Sequence, residues 1–158
     1  MIPRILAAAA TTTVLAAALA LAADRGFELL SAQEYQSELA ARSKPGAHFV
    51  TRAADLNAPS ITVVRPDRSL PIKPPVDIEV HFQAAEGSSV SVSTLKIKYG
   101  FLGLDITQRI LQAPGVQVSA AGLRAGGAQL PSGSHKLVIE IADNYGRTGR
   151  QPLEFTVR

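Results

Sequence analysis

The sequence predicts an all-β protein, an antiparallel sandwich of about seven strands preceded by a short helix, and three observations carry that expectation. First, the two terminal runs, His135 to Asp143 and Pro152 to Arg158, alternate at period two. Leu137, Ile139 and Ile141 share one face, as do Leu153, Phe155 and Val157. Second, the polar, glycine-bearing stretch Asn144 to Arg150 joins these runs as a hairpin connection. Third, short apolar runs recur from Pro59 onward at intervals of about eight to twelve residues, with Gly, Pro, Ser and Asn between them. A lone hairpin is marginal in water, so its oily face requires a second layer, and those preceding runs supply one.

Composition agrees with a globular chain. Hydrophobic residues make up 46% and charged residues 18%, enough to fill a core and too little charge for disorder. The net charge is +3, with 16 Lys and Arg scattered among 13 acids, so the clustered basic surface that nucleic acid needs is missing. There is no cysteine, which excludes an inter-sheet disulfide, thiol catalysis, Cys-ligated metal and a lipidated N-terminal Cys.

Met1 to Ala23 reads as an export leader: Arg4 supplies the positive start, Ile5 to Leu21 is uncharged and Ala-rich, and Ala20-Leu21-Ala22 is a small-x-small cleavage site. The competing reading is an uncleaved anchor, because the apolar run is nearly long enough to cross a bilayer. Alanine inserts less readily than leucine, which favours cleavage before Asp24 and a periplasmic or secreted product without a membrane span. Next, Ser31 and Glu34 form a capping-box pattern, with Leu30 placed to staple onto Tyr35. The helix should run from about Ala32 to Ala41, and its narrow stripe of Ala32, Tyr35 and Leu39 means it must dock or fray. It either caps the sandwich or takes a partner. A linker follows to about Pro59, dividing the chain into residues 1–23, 24–58 and 59–158.

Ile61 to Val64 is a short first strand, and Leu70 to Pro75 is extended by its prolines. Val76 to Phe82 is the clearest strand, with Val76, Ile78, Val80 and Phe82 on one face and Asp77, Glu79 and His81 on the other. Val90 to Thr94 is weakly patterned, and Leu95 to Tyr99 resumes the alternation. Gly100 to Thr107 is an apolar turn leading to a strand near Leu104. Residues 108–113 are either helical or extended, since Asp105 to Gln108 resembles a capping box. Val116 to Val118 and Gly122 to Ala125 are short strands, the latter broken by Gly126 and Gly127.

The segments Leu130 to His135, Leu137 to Arg147 and Phe155 to Val157 carry a resemblance. They fit the pattern G-x-H-x-Φ-x-Φ-x-Φ-x-D-x-x-G, with Φ aliphatic, followed by a closing F-T-V strand. In this the chain from Pro59 to Arg158 resembles the bacterial immunoglobulin-like domains of repeated surface and periplasmic arrays, and more loosely fibronectin type III modules. The resemblance implies an Ig-like sandwich in a spacer, adhesion or docking role, with no activity attached. The single copy and the added N-terminal helix depart from those arrays.

Four positions are candidates for partner binding. Phe101 and Leu102, between Gly100 and Gly103, are either tucked under a sheet edge or presented to a partner. Tyr145 and Arg147 lie on a strand connection, where Asp143 and Gly146 also fit plain turn chemistry. Asp77, Glu79 and His81 share one strand face about 7 Å apart, so two of them could hold a metal or act as acid and base; an ordinary polar face is the favoured reading, because a ladder on one strand needs ligands from a neighbour and the spacing identifies none. His48 and His135 have no matched partners in spacing, and Ser132 to His135 reads as a turn. No nucleophile elbow, P-loop, dinucleotide fingerprint or H-E-x-x-H occurs. The expected function is therefore a non-catalytic module that binds another envelope or secreted protein, with no cofactor. The alternative is a carbohydrate or small-ligand module, with a metal on the Asp77 face, although the absence of Trp weakens sugar stacking. N-terminal sequencing of the mature product should begin within a residue of Asp24; a soluble cytosolic product that retains Met1 to Ala23 contradicts export.

Overall fold

A computed structural model of the chain describes residues 26–43 and 57–158. The leader, His48 and most of the expected linker lie outside the described residues. Helix α1 spans Ala32–Arg42 and helix α2 spans Thr107–Leu111. The strands are β1 (Ser60–Arg65), β2 (Val76–Gln83), β3 (Val90–Tyr99), β4 (Leu104–Asp105), β5 (Gln117–Ser119), β6 (Gly122–Ala128), β7 (Gly133–Asp143) and β8 (Thr148–Val157). They form two antiparallel sheets of four, ordered β1-β2-β6-β5 and β4-β3-β7-β8. The protein is an all-β sandwich with a short N-terminal helix.

The period-two pattern places the core. Val76, Ile78, Val80 and Phe82 of β2 are buried, as are Leu95, Ile97 and Tyr99 of β3, Leu137, Ile139 and Ile141 of β7, and Leu153, Phe155 and Val157 of β8. The β7–β8 hairpin pairs without interruption from Gly133 opposite Val157 to Ala142 opposite Thr148. Gly146, at φ +78°, turns the chain, and its N–H donates to the Asp143 carbonyl at 3.0 Å.

Three irregularities account for where the pattern blurs. In β3 the register shifts between Ser91 and Lys96, and the Thr94 hydroxyl takes the hydrogen bond from the Ala142 N–H at 2.8 Å. A bulge there makes Val90 to Thr94 look unpatterned. Strand β6 runs on through Gly126 and Gly127 to Ala128 instead of breaking at the glycine pair. Gly127 adopts φ +79° and its N–H donates to the Asp77 carboxylate at 3.2 Å, opposite the register shift in β2. The glycines mark a bulge, not an end. The proline-rich stretch lies beside β8, where Ile72 N–H donates to Thr156 O at 2.8 Å and Arg158 N–H donates to Ile72 O at 3.0 Å. A covered edge strand is shielded from pairing with other chains.

The N-terminal segment shares this core. Leu29 and Leu30 are buried, and a parallel bridge ties Glu28 to Gln129. The Ser31–Glu34 capping box is formed, with Ser31 Oγ accepting from Glu34 N–H at 3.2 Å and Glu34 Oε2 accepting from Ser31 N–H at 2.9 Å. The buried stripe, however, is Tyr35, Glu38 and Ala41; Ala32 and Leu39 face out. Residues 107–111 are helical, settling one open alternative, but without a capping box: Asp105 Oδ1 accepts from Thr107 N–H at 2.9 Å. Arg109 of α2 then clamps α1, donating to both Glu34 carboxylate oxygens at 2.8 and 2.9 Å and to the Leu29 carbonyl at 2.8 Å. That bidentate contact is the main reason the Glu34 carboxyl is held down to about 2. Among the described residues no helix is long and apolar enough to cross a membrane.

Ile139 is fully buried between the sheets. Ile139→Ala should cost about 2 to 5 kcal/mol in denaturant unfolding; a loss below about 1 kcal/mol is incompatible with this packing.

Candidate functional site

The end of the sandwich where α1 meets the β3–β4 turn gathers the molecule's unusual chemistry. Helical spacing sets Tyr35 and Glu38 on the inner face of α1, one turn apart. Strand β7 brings His135 beneath Tyr35, with ring centroids 5.1 Å apart, and Phe155 of β8 stacks on its other side at 5.7 Å. The His135 ring is buried and both nitrogens are engaged. Nε2 lies 2.8 Å from the Pro131 carbonyl, which only accepts, so Nε2 carries the proton. Nδ1 therefore accepts from the Tyr99 hydroxyl at 2.7 Å. Burial pushes the His135 pKa below its ordinary value and the Tyr99 pKa above its own. His135 thus sits inside strand β7, not in a turn as the serine and glycine around it suggest. Gly133 is required there, because a Cβ would collide with the Tyr35 hydroxyl.

Glu38 organises the adjacent turn. Its side chain is 2% exposed, and it accepts hydrogen bonds from the backbone N–H of Phe101, from that of Leu102 at 3.0 Å, and from Arg42 Nε at 2.9 Å. Gly100, at φ +67°, allows the close approach, since a Cβ would meet the Glu38 carboxylate. The turn is pinned, and its two apolar side chains divide: Phe101 is half-buried, whereas Leu102 is 59% exposed. Leu39 of α1 and Leu104 of β4 are exposed large apolar residues of the same two elements. Leu102 and Leu104 line a shallow groove with Tyr99, Gln33 and Ser37.

The other two candidates lie elsewhere. Tyr145 is 66% exposed, but Arg147 is taken up internally, reaching Asp143 Oδ2 through Nε at 2.7 Å and Nη2 at 2.6 Å, with its guanidinium 5.0 Å from the Tyr145 ring centre. Asp143 also accepts from the backbone N–H of Tyr145 at 3.0 Å and of Arg147 at 2.9 Å, so this connection is built as a turn. It follows Asp143, which pairs with Val90, whereas the β3–β4 turn follows Tyr99, which pairs with Leu137. By strand rise the two loops are about 20 Å apart at opposite ends of the sheet, so the four residues do not form one patch.

On the outer face of β2, guanidinium groups occupy the acids. Arg124 reaches Glu79 at 2.6 Å, and Arg65 lies 3.8 Å from Glu79 and 3.6 Å from Asp77. Arg124, through its hydrogen bond, holds the Glu79 carboxyl below its ordinary pKa. His81 Nε2 is 3.6 Å from Glu79. Among the described residues no group of three or more His, Cys, Asp or Glu is placed to hold a metal. Sequence reading missed Glu38, Arg42 and Arg109. The signal was present for Glu38 alone, as the residue at i+3 from Tyr35 and i−3 from Ala41.

No family model matches the chain, and no curated protein matches it. Among solved structures, the crystal structure of CopC from Methylosinus trichosporium OB3b is similar to 61% of this chain and 92% of that chain, with 17% identity and a TM-score of 0.38. A likeness of that size assigns this chain neither ligand nor role.

The lowered His135 pKa has a consequence for stability. The unfolded chain takes up a proton more readily than the folded one, so the His135 contribution is complete above its ordinary value of 6.5 and is lost as pH falls through the lower folded value. Melting temperature should drop as pH falls below about 6.5, and His135→Gln should flatten that dependence. Equal slopes for both proteins would remove His135 as the cause.

Proposed function

We propose that the chain is an exported, non-catalytic immunoglobulin-like module that binds another protein of the cell envelope or periplasm through the α1 and β3–β4 end of the sandwich. The observation that carries this reading is Leu102: a large apolar side chain 59% exposed, on a turn whose backbone is held by the buried Glu38 carboxylate. Burying a carboxylate is costly, and here it holds an apolar residue in water in a fixed position. Pre-organised apolar anchors bind with little ordering cost. Leu104 extends the apolar surface beside it, lining the same shallow groove.

Export is supported by the leader pattern of Met1 to Ala23, and the Ig-like assignment by the Gly133 to Gly146 pattern within a two-sheet sandwich. The non-catalytic reading is supported by His135, whose two ring nitrogens are both engaged by Tyr99 and the Pro131 carbonyl and so are not available as an acid or base. A metal on the Asp77, Glu79 and His81 face would have to displace Arg124 and Arg65 from the carboxylates, which disfavours that alternative.

A photo-crosslinking residue at position 102, introduced in the cells that make the protein, should give a discrete adduct that Leu104→Asp abolishes without lowering the melting temperature. Position 118, on the other sheet, should give none. Absence of an adduct at 102, or the same adducts at both positions, overturns the reading.

A further inference from the structure

A second feature lies at the C-terminal end of α1, on the Phe101 side of the pinned turn. A groove of about 570 Å³ opens there between α1, the segment around Leu70 and the β7–β8 pair. Its size falls within the range of small-molecule sites, about 300 to 1,000 Å³. Three cations line it, Arg42, Arg68 and Lys136, against one acid among the described residues, Glu154, which Lys136 holds at 2.7 Å. Arg68 makes no ion pair or hydrogen bond among the described residues.

Arg42 is the informative residue. Its Nε serves Glu38, and its Nη1 reaches the Ser134 carbonyl at a long 3.4 Å. Its Nη2 is buried without a hydrogen-bond partner. A buried guanidinium nitrogen left without an acceptor is unfavourable, and guanidinium matches the two-oxygen geometry of carboxylates and phosphates better than any other side chain. The wall also carries Phe101, Phe155 and Leu70, the last 74% exposed, beside the polar Ser69, Ser134 and Thr156.

We propose that this groove binds a small organic oxyanion, a carboxylate or phosphate carried on a compact apolar body. The oxyanion pairs with Arg68 and with the exposed part of the Arg42 side chain, while the apolar body covers Leu70 and Phe101. Leu102 does not line this groove, although Arg42 also contacts Glu38 behind the Leu102 turn, so Arg68→Gln is the variant that separates the two sites.

Amide NMR titration of the full chain tests this with benzoate and phenyl phosphate as probes, inorganic phosphate as the bare anion and benzyl alcohol as the neutral counterpart. At least one aromatic anion should give saturable shifts at Ser134 and Lys136 below about 10 mM, and benzyl alcohol should give none. Whichever of the two aromatic anions binds more tightly identifies the headgroup. Arg68→Gln, at an exposed and unpaired position, should weaken binding about five-fold or more while leaving the fold intact, and Arg42→Lys should weaken it similarly. The proposal is overturned if neither aromatic anion saturates, if benzyl alcohol or inorganic phosphate binds as well as they do, or if Arg68→Gln leaves the affinity unchanged.

Discussion

Taking a carboxylate out of water costs several kcal/mol, and the end of the sandwich that carries the candidate site depends on one that has been taken out: Glu38. Two backbone N–H groups and one guanidinium replace the lost hydration. The same contacts satisfy backbone donors at the tip of the β3–β4 turn, which a strand pair of two residues leaves unpaired. Helix, turn and strand are therefore coupled: α1 is too short to be helical alone, and the turn is too short to hold its own shape. Each supplies what the other lacks.

Around that tie, burial and polarity are arranged in layers. Leu29, Leu30 and Tyr35 close the open end of the hydrophobic core. Beneath them Tyr99, His135 and the Pro131 carbonyl form a satisfied hydrogen-bond chain, where each donor meets an acceptor in a site with little water. Arg109 then fixes the outer side of α1 through Glu34. A helix held by a stacked aromatic, a buried carboxylate and a bidentate guanidinium is part of the sandwich in mechanical terms, so the surface it presents is rigid.

Rigidity bears on function because it separates candidates that look alike in composition. Leu102 is exposed on a fixed backbone, whereas Arg147, equally promising by residue type, is closed onto Asp143. The acids of β2 are exposed in pattern but neutralised by Arg65 and Arg124 from neighbouring strands. What distinguishes a binding surface from a solvated face here is whether the charged and apolar groups already have partners.

The amino-acid sequence by itself determined the strands, the hairpin, the two-layer architecture and the helix start, because these follow from period-two alternation, turn residues and a capping box, all read within a few neighbouring positions. The tertiary structure alone decided that Glu38 faces inward while Leu39 faces out, that Gly126 and Gly127 sit in a bulge, that His135 is stacked and hydrogen-bonded, and that Phe101 and Leu102 part company. Each of those depends on a group brought alongside from far along the chain: the turn N–H groups for Glu38, Asp77 for Gly127, Tyr35 and Tyr99 for His135. A polar residue's place is set by the partner that satisfies it, and local pattern carries no record of a partner sixty residues away.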